Sequence, residues 1–141
     1  MTMKKLGVAM VAVMMTSTAI GANWVNLGEI ANKELTLSLD IDSVRKLNTY
    51  SKQISYFIKK DYSKAQKTAD DKYYNYAVLH SKGDCENNRI SLMGLIYYSK
   101  NGSSVNSYNG SYDNWITVFP DTAGEEQLNA ACYVAGYRDT L

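Results

Sequence analysis

One stretch, residues 84–105, constrains the fold more than any other part of the chain. In its middle, apolar residues occupy both even-numbered and odd-numbered positions, so both faces of an extended strand would be apolar. One parity holds Ile90, Leu92, Ile96 and Tyr98, and the other holds Met93, Leu95 and Tyr97. Such a strand is expected in the centre of a sheet. Asn101 and Gly102 follow it and predict a tight hairpin turn, because both residues tolerate positive φ.

Shorter alternating segments predict the other strands. The clearest is residues 33–41, in which apolar residues alternate with polar ones. Residues 42–46 predict a single helical turn, and the charged segment 61–72 predicts an exposed loop. The segment 105–112 is rich in Ser, Asn and Gly, which predicts a bulge or an open ribbon. Further strands are predicted at residues 24–30, 49–60, 73–81 and 115–119.

The C-terminal region predicts a helix. Thr122 and Glu125 have the spacing of a capping box, and Gly136 is a candidate terminator. Between them runs an apolar stripe with helical spacing. The stripe consists of Leu128, Ala131, Cys132 and Ala135. Together these patterns predict an α+β fold, in which an antiparallel sheet of about six strands carries a C-terminal helix on one face.

Residues 1–22 have the three parts of a secretory signal peptide, which are two lysines, an apolar run and a small-residue end at Ala22. The apolar run is too short to span a bilayer. The alternative is a buried N-terminal helix. Cleavage after Ala22 would leave one domain, residues 23–141, that is exported and either periplasmic, secreted or at the outer surface. The residue directly after this cleavage point is Asn23 and not cysteine, so no lipoprotein cysteine is expected. Cleavage after Ala19 or Gly21 is the less favoured alternative.

The composition of residues 23–141 favours a disulfide-containing protein that does not bind nucleic acid. Lysine and arginine number 13 against 14 acidic residues, so no basic surface dominates. Cys85 and Cys132 are the only cysteines, and an oxidising compartment would join them. Chain entropy gives such a bridge about 4 kcal/mol. A redox pair or a metal site is the alternative, although no Cys-x-x-Cys occurs and His80 is the only histidine.

The chain carries no motif that indicates catalysis or a cofactor. Nucleophile, zinc-protease and phosphate-binding patterns are missing from the sequence. Asp40 and Asp42 form a pair of carboxylates or half a calcium site, but a strand end and a turn cap explain them more simply. His80 is expected to be solvated, because no nucleophile accompanies it. We therefore expect a binding protein and not an enzyme.

Two groups of residues are candidates for contacting a protein partner. The first is a basic run that would suit acidic patches or glycans, with a merely solvated face as the alternative. It consists of Lys59, Lys60, Lys64 and Lys67. The second is an aromatic face, since tyrosine offers contact area with few rotatable bonds, with cross-strand packing as the alternative. It consists of Tyr73, Tyr74, Tyr76, Tyr97 and Tyr98, from a total of 12 tyrosines.

The order of short motifs along the chain resembles a known family. The motifs are Trp24, the turn at residues 40–44, the Tyr-x-x-Tyr-x-x-Leu segment 73–79, Cys85 with Arg89, Tyr97-Tyr98 with Gly102, the Trp-x-x-Val-x-Pro segment 115–120, and Cys132. In this order they resemble the surface-adhesin protein E family of Gram-negative bacteria, over nearly the whole of residues 23–141. The resemblance implies a six-stranded antiparallel sheet with a disulfide-clamped C-terminal helix, and dimers are common in the family.

The resemblance also implies a function in adhesion and virulence. The best-known member of the family is an outer-membrane lipoprotein, and its partners are host matrix and plasma proteins such as laminin, vitronectin and plasminogen. The cysteine that anchors that lipoprotein has no counterpart here. Two other functions therefore stay open. One is a periplasmic accessory or inhibitor protein, and the other is a carrier with a tyrosine-lined pocket.

Overall fold

The structure is a computed structural model that describes residues 22–30, 32–110 and 114–139. The predicted signal peptide lies outside these residues except for Ala22. Six antiparallel strands lie side by side in chain order. They are β1 (Trp24–Ile30), β2 (Leu35–Lys46), β3 (Gln53–Lys67), β4 (Tyr73–Asp84), β5 (Arg89–Tyr98) and β6 (Ser104–Asn109). A short strand β7 (Ile116–Thr117) pairs with β5, and helix α1 (Ala123–Val134) follows it. The predicted antiparallel sheet with a C-terminal helix is confirmed.

Helix α1 covers one face of the sheet, which we call the inner face. The buried core lies between them, because the alternation in β2 and β3 sends their apolar residues to this side. The sheet contributes Leu37, Leu39, Ile54, Tyr56 and Ile58, and the helix contributes Leu128, Ala130, Ala131 and Cys132. The buried Tyr56 hydroxyl donates to Gln127 Oε1 at 3.2 Å, which satisfies a polar group inside the core. Burial also raises the pKa of Tyr56.

Both predicted ends of α1 are confirmed. The Thr122 hydroxyl accepts a hydrogen bond from the Glu125 amide at 3.3 Å, and the Glu125 carboxylate accepts one from the Asp121 amide. At the other end Gly136 has φ 84°, a left-handed conformation that glycine adopts without steric cost. The Tyr137 amide then donates to the carbonyl of Cys132 at 2.9 Å, which closes the last turn.

The disulfide fixes α1 to the sheet. Cys85 and Cys132 are joined, with their Cα atoms 5.8 Å apart, as the sequence predicts. Cys85 directly follows β4, and its amide donates to the carbonyl of Lys52. Nearby, Gly83 permits a close approach, since a Cβ atom there would lie 2.7 Å from Leu128 Cδ1. The helix therefore sits directly on the backbone of β4.

Two connecting segments differ from their predictions. Residues 42–46 are not a helical turn, because they continue β2 through an irregular pairing with β3. Side chains explain the difference: Asp40 accepts from the Asp42 amide, and the Ser43 hydroxyl accepts from the Phe57 amide at 2.9 Å. Residues 61–67 are likewise strand instead of loop, since β3 resumes pairing with β4 after a bulge.

The strand expected in the centre of the sheet is β5, which lies next to last. The prediction was wrong because it assumed that both faces of the sheet would be covered. On the side away from α1, Ile96 is 38% exposed. The apolar residues of β5 on that side are therefore available for contacts outside the sheet.

Candidate functional site

The face of the sheet opposite α1, which we call the outer face, is the candidate site. Among the residues that the structure describes, no helix packs on it. Cross-strand pairing arranges its side chains in rows, because partners in an antiparallel sheet point to the same side. One row runs through Trp24, Asp40, Phe57, His80, Gly94 and Asn109. The next runs through Asn26, Ser38, Lys59, Val78, Ile96 and Ser107.

The centre of the outer face is an aromatic stack. The rings of Phe57 and His80 lie parallel, with centroids 4.4 Å apart, and Phe57 is 37% exposed. Gly94, the partner of His80 on β5, adds no side chain beside the stack. Burial lowers the pKa of His80, so the imidazole is neutral at neutral pH. The stack is therefore an uncharged, accessible surface held on three strands.

A shallow hollow adjoins this stack. Its volume is about 360 Å³, within the usual range of binding clefts. The hollow is lined by Phe57, Val78, His80 and Ile96 of the outer face and by neighbouring residues of β5 and β6. Because this lining is mainly apolar, the hollow suits an apolar side chain of a partner protein.

One lysine extends the aromatic surface toward the far end of the face. Tyr76 and Tyr98 are cross-strand partners whose rings stack at 4.9 Å. Lys59 Nζ lies 4.8 Å from the ring of Tyr76 and 5.9 Å from that of Trp24, both within the range of cation–π attraction. It also pairs with Asp61 at 3.7 Å. The lysine stem therefore bridges the aromatic rings and leaves a cation at the surface.

The other end of the outer face is built around Trp115. Arg89 lies 4.6 Å and Lys82 5.0 Å from the centre of the Trp115 ring. Arg89 Nε also donates to Asp84 at 2.9 Å. Burial would raise the pKa of Asp84, but hydrogen bonds from Asn87 and Arg89 outweigh it and lower the pKa. The resulting buried carboxylate fixes the guanidinium against the indole ring.

The four lysines of the predicted basic run do not form one surface. Alternation along β3 sends Lys59 to the outer face and Lys60 to the inner face, where it lies between Leu37 and Ala77. Burial lowers the pKa of Lys60. Lys64 is exposed in the bulge of β3, and Lys67 pairs with Asp71 at 3.7 Å near the end of the hairpin.

The structure also divides the five tyrosines of the predicted aromatic face between two surfaces. The pairing register places Tyr76 and Tyr98 on the outer face and Tyr97 on the inner face. Tyr74 packs on Tyr97 at 4.3 Å, and Tyr73 is exposed at the start of β4 beside Lys67. The physical reason is the period of two, since neighbouring residues of a strand point to opposite sides. A role for these residues in binding stays a prediction.

Several prominent residues of the outer face were not among the predicted site residues. They are Trp24, Phe57, His80, Ile96 and Trp115. Phe57 carried a signal, because it is apolar at a position where the alternation of β3 requires a polar residue. No alternation marks Trp115, which reaches the face from the segment before β7. Such a residue is found only from the tertiary structure.

The site does not have the composition of a metal centre. Within the described residues, no group of three His, Cys, Asp or Glu side chains is placed to hold a metal ion. In the same residues, no helix is both long and apolar enough to cross a membrane.

Comparisons with known proteins identify the family. The solved structure of Haemophilus influenzae protein E is similar, with a TM-score of 0.60 at 12% identity, covering 86% of this chain and 92% of that one. Its second crystal form gives 0.54 at 11% identity over 82% and 98%, and protein E from non-typeable Haemophilus influenzae gives 0.51 at 13% over 86% and 91%. No curated protein sequence matches. A family model described as surface-adhesin protein E matches residues 24–133, so the chain belongs to that family.

Proposed function

We propose that this protein is an exported adhesin that binds a host protein through the outer face of its sheet. The observation that carries the proposal is the accessible stack of Phe57 and His80 beside Ile96, on a face that no described helix covers. Exposed apolar patches bordered by polar residues are typical of protein–protein interfaces. Family membership supports adhesion as the purpose of such an interface.

The chemistry of the face suits a folded protein partner. Aromatic rings and arginine are enriched at the energetic centres of interfaces, and both occur here around Trp115 and Phe57. The strands hold these rings in place, so binding would freeze few additional rotatable bonds. Lys59 and Arg89 lie at the two ends, each paired with an aspartate, so the face suits a partner with polar groups around an apolar centre. Laminin, vitronectin and plasminogen are the proposed partners.

The test is binding of the purified chain to immobilised laminin, vitronectin and plasminogen. A double variant, Phe57→Ser with Ile96→Ser, removes the apolar centre, and we expect at least a tenfold loss of affinity for the bound partner. The matched control is Tyr133→Ser with Val134→Ser, which removes two exposed apolar side chains from α1. Equal binding by the two double variants would reject the outer face. Binding of none of the three proteins would reject the proposed partners.

The lysines allow a second comparison in the same assay. Lys59→Gln changes the outer face, whereas Lys64→Gln changes an exposed residue in the bulge of β3. We expect the first substitution to weaken binding and to reduce its salt dependence, and the second to leave both unchanged. The opposite result would favour the end of the hairpin, as expected for a partner that recognises exposed lysines.

The same face is available to a second copy of the chain. Sedimentation of the wild-type protein and the Phe57→Ser, Ile96→Ser variant tests this homodimer. A dimer that only the wild type forms would mean that the face serves self-association. In that case adhesion requires a different surface.

Location in the cell envelope is part of the proposal. Protease treatment of intact cells should degrade a protein displayed at the outer surface. Protection until the outer membrane is opened would instead indicate a periplasmic accessory protein. The adhesin function would then be rejected for this chain, although the fold is shared.

A further inference from the structure

A second concave site lies on the same face of the sheet as α1, but at a different part of that face. We call it the tip groove, and its volume is about 530 Å³. It lies between the turn that joins β3 to β4 and strand β6. The residues that form it are Lys67 at the end of β3, Thr68 and Asp70 of the turn, Tyr97 of β5, and Asn106 and Tyr108 of β6.

The bulge in β3 explains why the groove exists. The pairing of β3 with β4 is irregular between Asp61 and Gln66, and bulges bend strands. The end of the hairpin reaches across β5, so that Asn106 Nδ2 donates to Asp70 Oδ1 at 3.3 Å. These residues belong to segments that are not neighbours in the sheet. Their hydrogen bond joins the turn to β6 across the groove.

The turn itself is ordered by hydrogen bonds. The Thr68 hydroxyl donates to Asp70 Oδ1 at 2.6 Å and accepts from the Lys72 amide at 3.1 Å. The hydrogen bond from Thr68 lowers the pKa of Asp70, so the group is a carboxylate at neutral pH. Oδ1 is shared between Thr68 and Asn106, while Oδ2 faces Lys72 at 3.6 Å. The turn therefore presents fixed hydrogen-bond acceptors to the groove.

The groove also has an aromatic floor. Tyr97 packs on Tyr74, with ring centroids 4.3 Å apart, and Tyr74 packs edge-on against Tyr62. Burial raises the pKa of Tyr62 to about 12 and also raises that of Tyr74, so both are uncharged supports. Tyr108 is 55% exposed, and its position opposite Leu95 places it on the same side of the sheet. A ligand would meet rigid rings on one side and polar groups on the other.

The local charges do not favour a strongly charged ligand. Lys67 pairs with Asp71 at 3.7 Å, and Lys72 pairs with Asp70 at 3.6 Å, so the turn carries no net charge. A groove for an anion needs unpaired positive charge. Polar groups and aromatic rings without net charge suit a neutral molecule that has both hydroxyl groups and an apolar face.

We propose that the tip groove binds a neutral saccharide. One sugar ring stacks on Tyr108 through its C–H face, and its hydroxyl groups bond to Asp70 and Asn106. A host glycan and a glycan of the bacterial envelope both supply this chemistry. The site is separate from the outer face, so it extends the proposed function without resting on it.

The test uses nuclear magnetic resonance titration of the purified chain with two neutral probes. N-acetyllactosamine represents host glycans, and triacetylchitotriose represents N-acetylglucosamine polymers of the envelope. We expect resonance shifts confined to residues 67–70, 97 and 106–108, with an affinity that does not change with salt. Binding of either probe supports the site, and the tighter probe identifies the source.

Variants make the assignment specific. Tyr108→Ala removes the stacking ring and should weaken saccharide binding at least tenfold. Asp70→Asn removes the charge but keeps an oxygen that accepts from Thr68, so it should weaken saccharide binding several-fold. The control is Tyr50→Ala, which removes a ring that is 98% exposed elsewhere. Equal losses in Tyr108→Ala and Tyr50→Ala would overturn the proposal. So would an absence of shifts with both probes, or tighter and salt-dependent binding of a heparin fragment.

The test is independent of the adhesin assay. The Phe57→Ser, Ile96→Ser variant should bind the saccharide as the wild type does. A protein that binds the saccharide but not laminin, vitronectin or plasminogen would support the tip groove and reject only the proposed partners.

Discussion

The two faces of the sheet are made by the same strands but differ in how far they are covered. On the inner face Leu39 and Ile58 are cross-strand partners that α1 buries completely or nearly so. The adjacent pair of partners, Asp40 and Phe57, lies on the outer face. Phe57 stays 37% exposed. Burial alone therefore does not explain why β3 carries an aromatic residue there.

The difference separates stability from recognition. Covering the inner face removes apolar surface from water, and this is the main favourable contribution to folding. The outer face keeps apolar rings partly in water, where they contribute less to folding and remain available to a partner. Substitutions on the two faces should therefore affect different measurements.

Removing the disulfide should have the largest effect on stability, because the disulfide fixes α1 to the inner face of the sheet. Replacing both Cys85 and Cys132 by Ala removes a bridge across 47 positions of sequence, and we expect the free energy of unfolding to fall by about 4 kcal/mol. Urea unfolding of both proteins measures this change. A loss below about 1 kcal/mol would mean that α1 stays in place without the bridge.

Substitution in the apolar contact between α1 and the sheet should have the next largest effect on stability. Leu128 is 1% exposed, and its Cδ1 atom lies over Gly83 of β4. Leu128→Ala should lower the free energy of unfolding by about 2–5 kcal/mol, because it leaves a cavity between α1 and the sheet. The matched control is Val134→Ala on the exposed side of α1, for which we expect a change within about 0.5 kcal/mol. Similar losses in the two variants would contradict the packing described for α1.

The inner face was predictable from the sequence, and the reasons are local. The alternation in β2 depends on Leu37 and Leu39, and the ends of α1 depend on Thr122 and Gly136. Each pattern involves residues close together in the chain. The disulfide was predictable because only one pairing of two cysteines exists. Residues 42–46 were not, because their pairing depends on a hydrogen bond from Phe57 to the Ser43 hydroxyl.

The outer face was much less predictable. Its rows join residues from all six strands, and neighbouring residues such as Lys59 and Lys60 belong to different faces. A run in the sequence is therefore not a patch on the surface. Trp115 reaches the face from outside the six main strands and carries no periodic signal. The exposure of Ile96 also depends on which face α1 covers, and no local pattern decides that.

Substitution at the centre of the outer face should affect binding more than folding. Phe57→Ser removes a ring that is partly exposed, so we expect the free energy of unfolding to fall by about 1 kcal/mol, less than for Leu128→Ala. Affinity for the partner should fall at least tenfold. Urea unfolding and binding to the immobilised partner provide the two measurements. A loss of stability as large as that of Leu128→Ala would make Phe57 a core residue and would remove the distinction between the faces.

The smallest expected effect comes from His80, and it tests the outer face by pH. Burial against Phe57 lowers the pKa of His80 in the folded protein, whereas the unfolded chain has a pKa of about 6.5. The unfolded state therefore binds the proton first, so the contribution of neutral His80 to stability is present above pH 6.5 and is lost as the pH falls below it. The charged groups on the same face include Asp40, Lys59 with its partner Asp61, and, at the Trp115 end, Lys82 and Arg89 with Asp84. Cations and carboxylates are therefore both present, and burial is the cause of the lowered pKa.

His80→Gln removes this titration while keeping a polar side chain. The wild-type protein should lose more stability than His80→Gln between pH 7.5 and pH 5.5, as measured by urea unfolding at both values. Asp84 does not confound the comparison, because its lowered pKa places its titration below about 3.9. If the two proteins lose the same stability, the imidazole is as free in the folded chain as in the unfolded one. The stack on Phe57 would then be a contact of two solvated rings, and the centre of the outer face would be less rigid than its geometry implies.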